Sequence, residues 1–383
     1  MPTVQLQNSS QPDFTYLPDR KNYEARTARR LDTEQLENYL PEGFPAQLEG
    51  PKLWKGSDYE GKENEWVYKL NEEELNEIDE AIHSFEATEK PISDIQKETF
   101  SLPTFGAKIK QLTEDNVVEG RGFIVVRGLN PDKYSRIQNI IAYTGISTYV
   151  GKRGQQGLHT LGHIKDLVPE KGLTEITAPA FTNDHQVYHT DAGDIISLYA
   201  IGVAEQGGKS RIASSWTVYN ELAKSRPDLI HTLSKDWPFQ TDLHKEKQPY
   251  VLRPLLYYLD NKLIIQYARR SFTGFGVNPR REDIPPITEA QAEALDALHF
   301  TAEKVNLGVN FQKGDIQYIN NLSIFHARDG YTDSEKNKRH LLRHWLHPEN
   351  AWKLPPQLEP TWNTVYHNDR IEVFPLEATF RFF

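Results

Sequence analysis

Apolar residues recur at helical spacing from Leu75 through Ile78 and Ile82 to Phe85, and Asn71 with Glu74 three positions on makes the capping-box pattern that opens such a helix. The period then changes. Gly122-Phe123-Ile124-Val125-Val126-Arg127-Gly128 is an unbroken apolar run closed by glycine, which predicts a buried strand, and Tyr134, Ile137, Ile141 and Thr144 predict an amphipathic helix after it. Ile195 to Ala200 reads as a further strand, and Tyr257 to Tyr267 as a hairpin turning at Asp260-Asn261. After Pro285-Pro286 a second capping box, Thr288 with Gln291, opens a helix through Leu295 and Leu298. Short strands separated by polar turns follow: Val309 to Phe311, Ile316 to Asn320 after Gly314-Asp315, Ser323 to His326, and Leu341 to Leu346. This succession predicts a mixed α/β chain with a mainly β core, a jelly-roll barrel flanked by helices.

Residues 1–66 are polar and proline-dotted, and are expected to form an extension packed on or preceding a catalytic domain over residues 67–383. Arg26, Arg29 and Arg30 within it read as a solvated face. With 383 residues the chain can bury about three quarters of the surface it exposes when unfolded, so its core needs no covalent staples. A net charge of -10 argues against a nucleic-acid or anionic-membrane partner. Cysteine is absent, so disulfides, thiolate metal sites and cysteine nucleophiles are excluded and any metal must take nitrogen and oxygen ligands. The amino terminus has no apolar secretion segment, and stretches such as Ile195 to Ala204 are too short to span a bilayer. The expectation is a cytoplasmic protein; whether it forms a homo-oligomer is left open.

Candidate chemistry centres on Tyr188-His189-Thr190-Asp191. On an extended segment His189 and Asp191 emerge on one face, and the distant Phe325-His326-Ala327-Arg328 offers a second imidazole. Two histidines and one carboxylate on one face of Fe(II) leave positions open for a keto-acid and dioxygen. His347-Pro348-Glu349 and His367-Asn368-Asp369 fit the same short pattern, but lie too near the C-terminus to be followed by a distant third ligand. Further on, Arg339 and Arg343 stand four apart, on one strand face at a separation on the order of 13 Å, and guanidinium groups so placed can hold two anions. Gly207-Gly208-Lys209-Ser210 is not a phosphate-binding loop, because Val203 stands where the first glycine is required; a glycine turn presenting the Ser210 hydroxyl to a carboxylate is the better reading.

Taken in order, HTD, GGKS, GDIQYINNLSIFHAR and RHLLRHWL resemble the TauD/TfdA family of Fe(II)/2-oxoglutarate dioxygenases from about Trp66 to His347, most like fungal and bacterial members without an assigned substrate. The resemblance implies a double-stranded β-helix, iron held by His189, Asp191 and His326, the distal carboxylate of 2-oxoglutarate held by Ser210 and Arg339, and Arg343 directed at an acidic small-molecule substrate. It also implies a reaction that consumes O2, releases succinate and CO2, and oxidises a substrate C–H bond by hydroxylation, desaturation or cyclisation, including aziridine formation in fungal secondary metabolism. Ser210 stands where taurine-type members have threonine, and the loop after Asp191 is shorter, so taurine itself does not carry over. Candidate pocket walls are His185, Tyr188, Phe275 and Phe325. The rival readings are a catalytically silent jelly-roll binding module and an oxygenase acting on a peptide.

Overall fold

The computed structural model describes residues 11–172, 175–240 and 249–378. The first ten residues of the polar amino terminus lie outside the described part. Two sheets face each other. The larger has seven strands, with Phe123–Arg127, Ile316–Asn320, Ile195–Gly202 and His340–His347 adjacent in that order, and the smaller runs Leu307–Val309, Ser210–Ser214, Ile324–Arg328, Gln186–His189. Phe123, Val125, Ile196 and Ile319 of the large sheet meet Ile212, Leu307, Val309 and Ile324 of the small one in a closed apolar layer. Strand parity explains the unbroken FIVV run: Phe123 and Val125 enter that layer, whereas Ile124 and Val126 turn outward into the main core beneath the helices. Both faces are therefore buried and neither can be polar.

The helices cover the outer faces. Glu72–Glu86 carries the Asn71/Glu74 capping box, Arg136–Thr148 starts two residues after Tyr134 with Ser135 as its cap, and Glu289–Val305 carries the Thr288/Gln291 box. The Asp260-Asn261 hairpin turn has both residues at positive φ, 49° and 60°, the conformation a two-residue hairpin loop requires. The strand expected over Val309 to Phe311 is instead Leu307–Val309.

The polar N-terminal segment holds an element the apolar pattern did not reveal, the helix Arg20–Thr33. Its arginines correct the solvated-face reading: Arg26 and Arg30 are 5% and 4% exposed, and only Arg29 is well exposed. Arg26 binds Asp296 at 2.8 Å, Arg269 binds the other oxygen of Asp296 at 2.8 Å, and Arg30 pairs with the fully buried Glu293. The helix is thus docked on Glu289–Val305 by charge rather than by apolar area. No described helix is long and apolar enough to cross a membrane.

Candidate active site

The small sheet positions two of the three predicted ligands directly. Ile324–Arg328 pairs antiparallel with Gln186–His189, and the register sets His326 opposite His189, so the two imidazoles sit side by side with centroids 4.1 Å apart. Asp191 follows on the turn that leaves the strand. Asn321 fixes that turn: its Oδ1 accepts from the Asp191 N–H at 2.8 Å, and its Nδ2 donates to the Asp191 and Gly193 carbonyls at 2.7 Å each. Thr190 is locked from the other side, its N–H donating to the Tyr267 carbonyl while its hydroxyl accepts from the Tyr267 N–H, both at 2.9 Å.

One ligating atom from each of His189, Asp191 and His326 lies within 4.8 Å of the others, and no other group of three or more such side chains among the described residues does this. His189 Nδ1 is 2.9 Å from the Val187 carbonyl, which accepts the Nδ1–H hydrogen bond and so favours the tautomer whose Nε2 lone pair can meet an ion. That Nε2 lies 3.8 Å from Asp191 Oδ1, and His326 Nε2 lies 3.9 Å from Asp191 Oδ2. The donor set, two neutral imidazoles and a carboxylate, fits a ferrous ion.

Electrostatics keep these groups in the ligating state. Burial pushes the Asp191 carboxyl up, but the Arg343 guanidinium, and behind it His326 and His189, outweigh burial and hold it at about 2. Burial and the neighbouring His189 lower His326 to about 3, so it is neutral near pH 7. Arg343 Nη1 donates to Asp191 Oδ2 at 2.8 Å and its Nε donates to Gln156 Oε1 at 2.6 Å; Trp345 Nε1 reaches the same carboxylate oxygen at 3.2 Å. Sequence reading aimed Arg343 at the substrate. The structure commits two of its nitrogens to the metal carboxylate and to Gln156.

Ser210 and Arg339 lie together across the Gly-Gly turn. Gly207 and Gly208 take positive φ of 80° and 69°, and a Cβ on Gly208 would approach Arg339 Cδ to 3.1 Å. Ser210 faces Gln317 of the large sheet, with its hydroxyl 3.4 Å from Oε1. Arg339 is buried, and burial together with the positive charge of Arg328 lowers it to about 9. A register shift between His340 and Leu341 places Arg339 ahead of a bulge, so it does not share a simple alternating face with Leu341 and Arg343.

The candidate pocket walls make the following contacts. Phe325 alternates with His326 and packs on Tyr267, ring centroids 5.4 Å apart, on the opposite side of the strand from the imidazole. Tyr188 alternates with His189 and lies on His299 of Glu289–Val305, as does His185 at longer range. Phe275 meets Tyr16 of the N-terminal arm at 4.9 Å. Residues the sequence reading missed are Gln156, Trp345, Asn321 and Gln186, whose amide Nε2 lies 3.2 Å from His189 Nε2. Trp345 was accessible from parity, two positions beyond Arg343. Gln156 lies 187 positions from Arg343 and carries no local signal. Among the described residues neither of the other two short motifs belongs to a group able to hold a metal ion; His347 pairs with Asp194 at 2.8 Å, and Glu349 with Lys110 at 2.7 Å.

Comparison with known proteins identifies the family. Residues 86–345 match the family described as taurine catabolism dioxygenase TauD, TfdA family. The chain is 34% identical over 345 residues to the taurine hydroxylase-like protein SAT17 of Stachybotrys chartarum, covering 87% of this chain and 89% of that one. It is 22% identical over 317 residues to the FR-33289 synthase of Streptomyces rubellomurinus, covering 81% and 93%. Its fold, a double-stranded β-helix core with helices packed outside, is shared with an asparagine oxygenase solved with Fe(II), 3-hydroxyasparagine and succinate (TM-score 0.58, 13% identity, 73% of this chain and 93% of that one). It is also shared with the non-haem iron oxygenase OrfP in complex with iron and α-ketoglutaric acid (TM-score 0.54, 15% identity, 73% and 93%). The chain belongs to the TauD/TfdA family and is a non-haem dioxygenase dependent on Fe(II), 2-oxoglutarate and O2.

Proposed function

We propose that the chain oxidises a C–H bond of a small, acid-bearing molecule, with a free amino acid as the best-supported class, while converting 2-oxoglutarate to succinate and CO2. The observation that carries this reading is the convergence of His189, Asp191 and His326 beside the Arg343 guanidinium. In it residues 67–383 form the catalytic unit and residues 1–66 an extension of it. His189 and His326 hold iron as neutral imidazoles, and Asp191 supplies the charge. Bound Fe(II) with the keto-acid supplies O2 activation. Arg343 keeps Asp191 ionised and oriented, and its remaining nitrogen, Nη2, meets the substrate acid. Ser210 and Arg339 grip the distal carboxylate of 2-oxoglutarate through a hydroxyl and a guanidinium, which fixes the keto end toward the metal. Support for an amino acid comes from the fold relatives, whose structures contain hydroxyasparagine and, in OrfP, hydroxyarginine.

The test is a succinate-release screen across small amino, sulfonic and aryloxy acids, with product mass to separate hydroxylation (gain of an oxygen atom) from desaturation or ring closure (loss of two hydrogens). One acid is expected to stimulate succinate formation stoichiometrically with its own oxidation. Asp191→Ala should remove both. Undiminished, substrate-coupled succinate from that variant would overturn the assignment.

A further inference from the structure

Beside Arg339 stands a buried guanidinium that the reading above does not use, that of Arg328. Arg328 lies two residues beyond His326 on the strand Ile324–Arg328, so its side chain leaves the strand on the face that carries the imidazole. Its Cα partner across the ladder is Ser210, which places the two side chains next to each other on the inner face of the small sheet. Arg328 and Arg339 flank one ring: their guanidinium carbons lie 4.9 Å and 5.4 Å from the centroid of Tyr331. They are only 3% and 5% exposed.

Two buried cations this close should each have an acid. Neither has an ion pair among the described residues, in contrast to Arg26, Arg30 and Arg269, which are equally buried and each meet a carboxylate. Arg328 Nε and Nη1, Arg339 Nη1 and the Gln317 Nε2 are all buried without a hydrogen-bond partner. The one group Arg328 does reach is the backbone carbonyl of Asp184, through Nη2. Asp166 and Asp184 act on Arg328, and Asp333 on Arg339, only at a distance beyond ion-pair contact, so a cluster of unpaired donors is left that suits an anion, because poorly compensated buried charge is otherwise strongly unfavourable.

We propose that Arg328 is a second anchor for the distal carboxylate of the keto-acid, acting with Arg339 and Ser210 and selecting a dicarboxylic over a monocarboxylic co-substrate. This rests on the reading of the site as a 2-oxoglutarate site. A single guanidinium and a hydroxyl satisfy one edge of a carboxylate; a second guanidinium occupies the remaining lone pairs and matches charge to charge.

The experiment titrates the full-length protein, loaded with Fe(II) under anaerobic conditions, with 2-oxoglutarate and with 2-oxobutanoate, which lacks the distal carboxylate, following the visible metal-to-ligand charge-transfer band. Arg328→Gln keeps a donor for the Asp184 carbonyl, and Arg328→Lys keeps the charge without the fork, so either soluble variant suffices. Arg328→Gln is expected to raise the Kd for 2-oxoglutarate by about tenfold or more while leaving that for 2-oxobutanoate nearly unchanged, with Arg328→Lys in between. Equal weakening of both ligands would show a purely structural clamp, and no change in either would show no role; each overturns the proposal. A wild-type protein that gives no band with 2-oxoglutarate overturns the underlying reading as well.

Discussion

Asp191 is the residue on which the most opposing effects meet. Burial alone would favour its neutral form, yet Arg343 at 2.8 Å, with two imidazoles behind, wins and holds it ionised. The pair is largely shielded from solvent, at 14% and 13% side-chain exposure, so removing one partner leaves a poorly compensated charge. Arg343→Met is therefore expected to cost about 3–5 kcal/mol in urea unfolding and to weaken Fe(II) binding measured by calorimetry. An arginine that only contacted substrate would change neither, and wild-type values for both would show that Asp191 does not depend on it. The same parity that put His189 and His326 on the inner face sent Tyr188 and Phe325 to the other side of their strands.

Among the elements, the turn carrying Asp191 has no regular ladder of its own and relies on Asn321, which begins the chain's return into the His326 strand. Asn321→Ala should cost about 1–3 kcal/mol by leaving buried backbone groups unpaired, and it should weaken Fe(II) binding although Asn321 is no ligand. Unchanged metal affinity would mean the turn holds its shape unaided. The N-terminal helix Arg20–Thr33 offers a paired comparison. Arg30, 4% exposed against Glu293, should lose about 3–5 kcal/mol on change to Met, whereas Arg29→Met, removing a pair that is 54% and 44% exposed, should stay within about 0.5 kcal/mol in the same denaturation series. Equal effects would place this helix in the solvated state its polar sequence suggests.

Across the whole molecule, burial holds four histidines, His299, His326, His340 and His344, neutral down to about 3. Because the folded values lie below the unfolded value near 6.5, the unfolded chain binds more protons between those limits. The contribution of these histidines is complete above about pH 6.5 and is lost as pH falls, by about 1.4 kcal/mol per unit for each. The urea midpoint should drop from pH 7.5 to 5.5; a midpoint that holds or rises would contradict the neutral burial of these side chains.

The sequence by itself determined the periods of the main strands and helices, both capping boxes, the Asp260-Asn261 turn, and the residue types able to form the metal centre. Each of these is set by positions within a few residues of one another, or by a strand parity that survives any global arrangement. Only the tertiary structure decided that Arg343 serves Asp191, that Arg328 joins Arg339 around Tyr331, and that Arg26 and Arg30 of the N-terminal helix are buried. Those outcomes depend on which charges lose water together; Arg343 meets Asp191 across 152 positions and Arg26 meets Asp296 across 270, separations that leave no period in the chain.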